Sequence, residues 1–165
     1  VKKVLRVRIS ECILAKDSER LKSSGLGSCI GLVIWDPQKK IGGMAHILLP
    51  SSSNSRPPKR SAKYASSAVA LLIQELKSAG CRPRNLVAKI AGGANMFPQK
   101  FNTACGELGI NIGDRNTAAV KQELAKKKIR LVSEDLGGET GRTIEFNPKT
   151  GELCIYKSSG EVIVI

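Results

Sequence analysis

Ile30-Gly31-Leu32-Val33-Ile34-Trp35, Asp36-Pro37-Gln38-Lys39-Lys40 and Ile41-Gly42-Gly43-Met44-Ala45-His46-Ile47-Leu48-Leu49 form two apolar runs around one polar turn. The first run is short and almost wholly apolar, which suits a buried strand. Asp36-Pro37 closes it, because proline lacks a ladder donor and aspartate favours turns. The second run reads as its antiparallel partner and stops at Pro50. A hairpin brings the start of one strand near the end of the next, so Cys29 and His46 are expected side by side.

Upstream, Val4, Val7 and Ile9, then Cys12, Ile13 and Leu14, predict one strand or a bent pair ahead of a polar turn over Lys16-Asp17-Ser18-Glu19-Arg20. Downstream, Ser51 to Lys59 is rich in Ser, Pro and Arg, and is expected to be a mobile surface loop able to act as a lid. Ala65, Ala68, Val69, Leu72, Ile73 and Leu76 recur at helical spacing, predicting a helix from about Ser61 to Ala79 with Gly80 as its C-cap. Its basic first turn opposes the helix dipole. Leu86 to Ala91 reads as a strand running into Gly92-Gly93-Ala94-Asn95-Met96-Phe97, a turn whose backbone can approach a ligand. Asn95 and Phe97 there are candidate substrate or partner contacts.

A second helix is expected from about Asn116 to Lys127, capped by Asp114 or Asn116, with Ala119, Val120 and Leu124 inward. A strand over Ile129 to Val132 follows. Thr143 to Phe146 and Leu153 to Tyr156 flank a turn at Asn147-Pro148-Lys149-Thr150-Gly151, a hairpin pattern. Together these predict an α/β (α+β) fold. It is a single-domain layered sandwich over residues 1–165, with helices packed on mixed or antiparallel sheet.

The chain has 165 residues, 41% of them hydrophobic, and a formal net charge of +13. No apolar run approaches the roughly 20 residues that span a bilayer, and residues 1–8 alternate basic and apolar, unlike a secretory signal. A cytoplasmic protein without membrane insertion is expected. The charge should attract polyanions. Six aromatics and the lack of any RNP, zinc-finger or helix-turn-helix pattern count against nucleic acid, but charge alone does not separate it from an acidic protein surface. Cys12, Cys29, Cys81, Cys105 and Cys154 are odd in number and in no CxxC arrangement, so neither disulfides nor a thiolate metal site is indicated.

Free cysteines are mostly buried hydrophobes, and Cys29 stands apart only by its setting. It follows Gly25-Leu26-Gly27-Ser28, and the chain's one histidine, His46, lies on the facing strand. An imidazole beside a thiol is a common route to a thiolate. Gly27 and Ser28 leave room for a carbonyl and offer backbone N–H groups to an oxyanion. A third group usually orients the imidazole; Ser23, Ser24 and Ser28 are all near in sequence, and spacing does not choose among them.

The run Leu21-Lys22-Ser23-Ser24-Gly25-Leu26-Gly27-Ser28-Cys29-Ile30, with Gly43-Met44-Ala45-His46 and Leu49-Pro50, resembles the CheD family of chemoreceptor glutamine deamidases. Ala91-Gly92-Gly93-Ala94-Asn95-Met96-Phe97, Ile112-Gly113-Asp114-Arg115-Asn116 and Gly137-Gly138-Glu139-Thr140-Gly141-Arg142 continue the likeness in order. The resemblance implies a cofactor-free, metal-free cysteine amidohydrolase, a protein-glutamine glutaminase. It would convert selected receptor glutamines to glutamate through a thioester, releasing ammonia. It implies Cys29 as nucleophile, His46 as general base and acid, and Ser23 where the family normally carries threonine. Serine keeps the hydroxyl and loses the methyl that restricts χ1. Also implied are a monomer, the cytoplasmic helical bundle of a chemoreceptor as substrate, and a CheC-type phosphatase as partner. The rival expectation is a non-catalytic binding module that uses the same surface to hold such a phosphatase or a receptor helix.

Overall fold

The computed structural model describes residues 2–51, 60–97 and 111–165. Its strands are β1 (Val4–Arg6), β2 (Cys12–Lys16), β3 (Arg20–Leu26), β4 (Ile30–Asp36), β5 (Ile41–Ile47), β6 (Val87–Gly92), β7 (Arg130–Leu136), β8 (Arg142–Phe146), β9 (Leu153–Lys157) and β10 (Val162–Val164). Two helices join them, α1 (Ala65–Ser78) and α2 (Ile112–Lys126). The strands form two mixed five-stranded sheets, ordered β1-β3-β8-β9-β10 and β2-β5-β4-β6-β7. The fold is an α+β sandwich of three layers: helices, the β4-centred sheet and the β8-centred sheet.

The opening hairpin is the middle of the helix-covered sheet. β4 pairs antiparallel with β5 on one side and β6 on the other, so its backbone is satisfied along both edges. Ile30, Leu32 and Ile34 point to the helices, joining Ala45, Ile47, Ala68, Val69, Leu72, Val120 and Leu124 in one core. Val33 and Met44 point the other way, into a second core with Leu21, Leu26, Ile144, Phe146, Leu153 and Ile155. Burial on both faces explains why β4 shows no polar alternation. Gly31 and Gly42 let the sheets approach closely: a Cβ on Gly31 would run into Ile144, and one on Gly42 into Phe146. Trp35 closes the far end, edge-on to Phe146 at 6.0 Å, its indole N–H donating to the Pro148 carbonyl.

Several elements differ from expectation. The first apolar stretch is neither one strand nor a bent pair in one sheet: β1 and β2 belong to different sheets. The expected polar turn ends at Arg20, where β3 begins and runs through serines and a glycine of weak strand propensity. Its pairing with β8 shifts register between Ser23 and Leu26, a bulge at which Gly25 takes φ +71°. Helix α1 starts at Ala65 rather than Ser61, because Tyr64 is extended and the Lys63 carbonyl accepts from the amides of Leu48 and Leu49. Gly80 follows the C-cap Ala79 at φ +88°. Helix α2 starts at Ile112, capped by Asn111 through Gly113 N–H; Asn116, an expected cap, is buried within it, and Ala119 only partly so. β7 runs four residues past the expected Val132, and β10 was not anticipated. The loop at 52–59 and Cys105 lie outside the described residues.

Gly31→Ala should destabilise the protein by about 1–3 kcal/mol through overpacking. Ile144→Val removes the Cδ1 atom that the new methyl meets, so the double variant should be more stable than the sum of the singles. Urea midpoints of the four proteins measure this coupling; strict additivity would contradict the proposed contact.

Candidate active site

Ser23, Cys29 and His46 come from β3, the turn before β4, and β5, and all three lie within the sandwich. Ser23 Oγ donates to the Val7 carbonyl at 2.8 Å and lies 2.9 Å from His46 Nδ1. A hydroxyl has one hydrogen. With that hydrogen on Val7, Oγ can only accept from the ring, so Nδ1 carries the proton and Nε2 keeps its lone pair. Burial lowers the His46 pKa and holds the ring neutral. Nε2 is buried and has no hydrogen-bond partner among the described residues. A neutral imidazole with its basic nitrogen unoccupied is a general base in waiting.

His46 pairs with Gly31 across the β4–β5 ladder. Cys29 sits just before β4, two residues before Gly31, and joins the second core with Val33 and Met44. Cys29 retains 7% exposure, against 1% for Ser23 and 0% for His46, and is the most exposed of the trio. Burial pushes its thiol above the usual 9.0, opposed by its own backbone N–H, which favours the thiolate. No hydrogen bond joins Sγ to Nε2. Burial thus disfavours charge on both groups, the thiolate of Cys29 and the imidazolium of His46 alike.

The nucleophile's turn is stitched to the loop after β6. Gly27 and Cys29 carbonyls accept from the amides of Ala94 and Gly93, each at 2.9 Å. Gly92, at φ +121°, has to lack a Cβ, which would collide with the Cys29 carbonyl. The Gly27 N–H, an expected oxyanion donor, is engaged with the Gly25 carbonyl at 3.1 Å. Gly27 instead makes room for Met96, whose Cγ lies 3.1 Å from where a side chain on Gly27 would begin. The amides of Ser28 and Cys29 donate to no backbone carbonyl among the described residues and remain the candidate donors. The Asn95 backbone N–H donates to the Gly138 carbonyl at 2.8 Å. Phe97 is 58% exposed beyond it, beside exposed Met96.

Two residues around the site were missed from sequence. Asn116 is wholly buried, its Nδ2 donating to the carbonyls of Ser28 at 2.9 Å and Leu48 at 3.0 Å. The signal was present: Asn116, Val120 and Leu124 share one helical stripe, which puts the amide inward. Arg142 bonds Asp135 at 2.8 Å and the Gly137 carbonyl at 2.9 Å, fixing the loop that receives Asn95. On the outer side of β1 and β3, Arg6, Arg8 and Lys22 line a groove with Val7, Ile9 and Ser24, and Lys22 alone of these cations has an ion pair among the described residues. No described helix is long and apolar enough to cross a membrane.

Residues 48–157 match the family model described as CheD chemotactic sensory transduction. Ser23, Cys29 and His46 precede that stretch and fall to the longer alignments. The chain is similar to the probable chemoreceptor glutamine deamidase CheD 2 of Geobacter metallireducens, 44% identical over 154 residues and 93% of each chain. It is 43% identical to the chemoreceptor glutamine deamidase CheD of Bacillus licheniformis, over 92% of this chain and 89% of that one. The Bacillus subtilis protein of the same name is 44% identical, over 92% and 90%.

The lowered His46 pKa sets a direction for stability. Above 6.5 the ring is neutral in both folded and unfolded chains; below it the unfolded chain takes up the proton first, so stability falls as pH drops. Denaturant unfolding between pH 8 and 5 should show this loss, at most about 1.4 kcal/mol per pH unit for one group. His46→Gln should flatten that component; an unchanged slope would mean the buried ring does not carry it.

Proposed function

The chain belongs to the CheD family, and on that premise we propose that it deamidates selected glutamine side chains on the cytoplasmic helical bundle of chemoreceptors. The observation that carries the chemistry is the Val7–Ser23–His46 chain of hydrogen bonds, which leaves Nε2 unprotonated and unoccupied. As Cys29 Sγ attacks the amide carbon, Nε2 takes the thiol proton. The developing oxyanion faces the amides of Cys29 and Ser28. The imidazolium then protonates the leaving nitrogen, the C–N bond breaks, and ammonia departs from a thioester. Water, deprotonated by His46, attacks the thioester to give glutamate and restore the thiol. Net charge of +13 favours encounter with an acidic bundle, and the reaction calls on no cofactor. In this reading the protein acts as a cytoplasmic monomer, and its receptor-binding surface also receives a CheC-type phosphatase.

Because the resting pair is neutral, charge separates only when substrate fills the site. Ammonia release from purified receptor fragments should be abolished by Cys29→Ala. Release that survives this change would sink the mechanism. Ser23→Ala should lower kcat about 10- to 100-fold, less than the about 10²–10⁴-fold assigned to a general base. The pH profile of kcat/KM should be flat between 6.5 and 9.0, since burial moves both pKa values outward from those limits. A limb inside that window would indicate a preformed ion pair instead.

A binding module is the second reading, favoured by the raised thiol pKa and the missing Sγ–Nε2 hydrogen bond. It expects no ammonia from the unaltered protein and unchanged receptor or phosphatase binding in Cys29→Ala.

A further inference from the structure

Asn116 spends both hydrogens of Nδ2 on backbone carbonyls, one on each side of the site. Ser28 O belongs to the peptide that leads into the nucleophile, and Leu48 O lies just past β5, two residues after His46. One amide from α2 therefore ties the nucleophile's turn to the base's strand. The packing makes this tie rigid: Gly113, one turn earlier in α2, sits against the backbone of Gly93 and Ala94, where any Cβ would collide. Asn116 is 0% exposed, and its Oδ1 is buried without a hydrogen-bond partner among the described residues. An unmet buried acceptor opposes folding, so this side chain is not an optimum for stability alone.

The peptide joining Ser28 to Cys29 is trans, so its C=O and N–H point in opposite directions. Drawing the Ser28 carbonyl toward α2 turns the Cys29 N–H away from the helix, toward the side on which it contacts its own sulfur. An oxyanion formed by attack of that sulfur develops on this side.

We propose that Asn116 is a positioning residue that orients the Cys29 amide as the oxyanion donor. The inference rests on the deamidase reading above. It assigns to Asn116 a part in turnover rather than in capping the helix, which Asn111 does.

The test separates amide hydrolysis, which needs an oxyanion donor, from alkylation of Cys29 by iodoacetamide, a displacement that forms no oxyanion. In Asn116→Leu, kcat for ammonia release should fall about 10²- to 10³-fold, the loss typical of one such donor. KM should change little, and the Cys29 alkylation rate, read by peptide mass mapping, should stay within about threefold of the starting protein. If Asn116→Leu fails to fold, Asn116→Asp, which keeps the volume, gives the same two readouts. A kcat retained within about threefold overturns the proposal, and so does an alkylation rate that falls in step with kcat. If instead Cys29→Ala retains activity in the same assay, the deamidase mechanism itself has failed, which is a distinct result.

Discussion

The distance between the two sheets is the constraint on which the site depends. Ile144 fills the gap left by Gly31, and Phe146 the gap left by Gly42. In one sheet Ser23 is the cross-strand partner of Ile144; in the other His46 is the partner of Gly31. Stacking Ile144 on Gly31 therefore stacks Ser23 on His46, and the 2.9 Å contact between them follows from apolar packing. Face-to-face sheets ordinarily lie about 10 Å apart, too far for a serine to reach a histidine backbone but right for two side chains meeting midway. A side chain at position 31 would widen that gap and part the pair. The glycine is as much a feature of the site as the groups that touch substrate.

The same packing sets the electrostatics. Desolvation raises the thiol and lowers the imidazole, so each is held in its uncharged form. A preformed thiolate–imidazolium pair would need two buried charges, whose desolvation a single contact rarely offsets. A neutral pair avoids this cost while the site is empty. In the proposed reaction, substrate that excludes the remaining water would let oriented N–H donors act in a low dielectric and stabilise the oxyanion more strongly than in an open cleft. This favours, in the proposed reaction, proton transfer that accompanies attack over one that precedes it.

Much of this was legible in the sequence, and the exceptions share a cause. The β4–β5 hairpin, β6, the two helices and the β8–β9 hairpin follow from apolar periodicity and turn residues. β3 does not, because Ser23, Ser24 and Gly25 carry neither strong strand propensity nor alternation, and its pairing with β8 spans more than a hundred residues of sequence. Losing β3 meant that Ser23, Ser24 and Ser28 were equivalent from spacing; only the sheet-to-sheet contact selects Ser23. Likewise Asn116 resembled a cap because asparagine favours helix starts, while its burial depends on tertiary packing against the Cys29 turn. Cys29 and His46 were visible since both belong to a local hairpin. Local pairing is readable from a single sequence; contacts between sheets are not.

The resemblance implies threonine where this chain carries Ser23, which bears on how firmly His46 is held. A threonine methyl would restrict χ1 directly. Here the hydroxyl is fixed from outside, by the Val7 carbonyl on one side and the ring on the other, in a site of 1% exposure. Turning Oγ away would strand a buried carbonyl and a buried ring N–H, about 1–3 kcal/mol each. The rotamer freedom released in return is worth less than about 1 kcal/mol for so short a side chain. Hydrogen bonding thus outweighs the entropy that the methyl would have removed. Ser23 keeps the imidazole oriented, and a serine hydroxyl is enough to set the direction of the Nδ1–H bond.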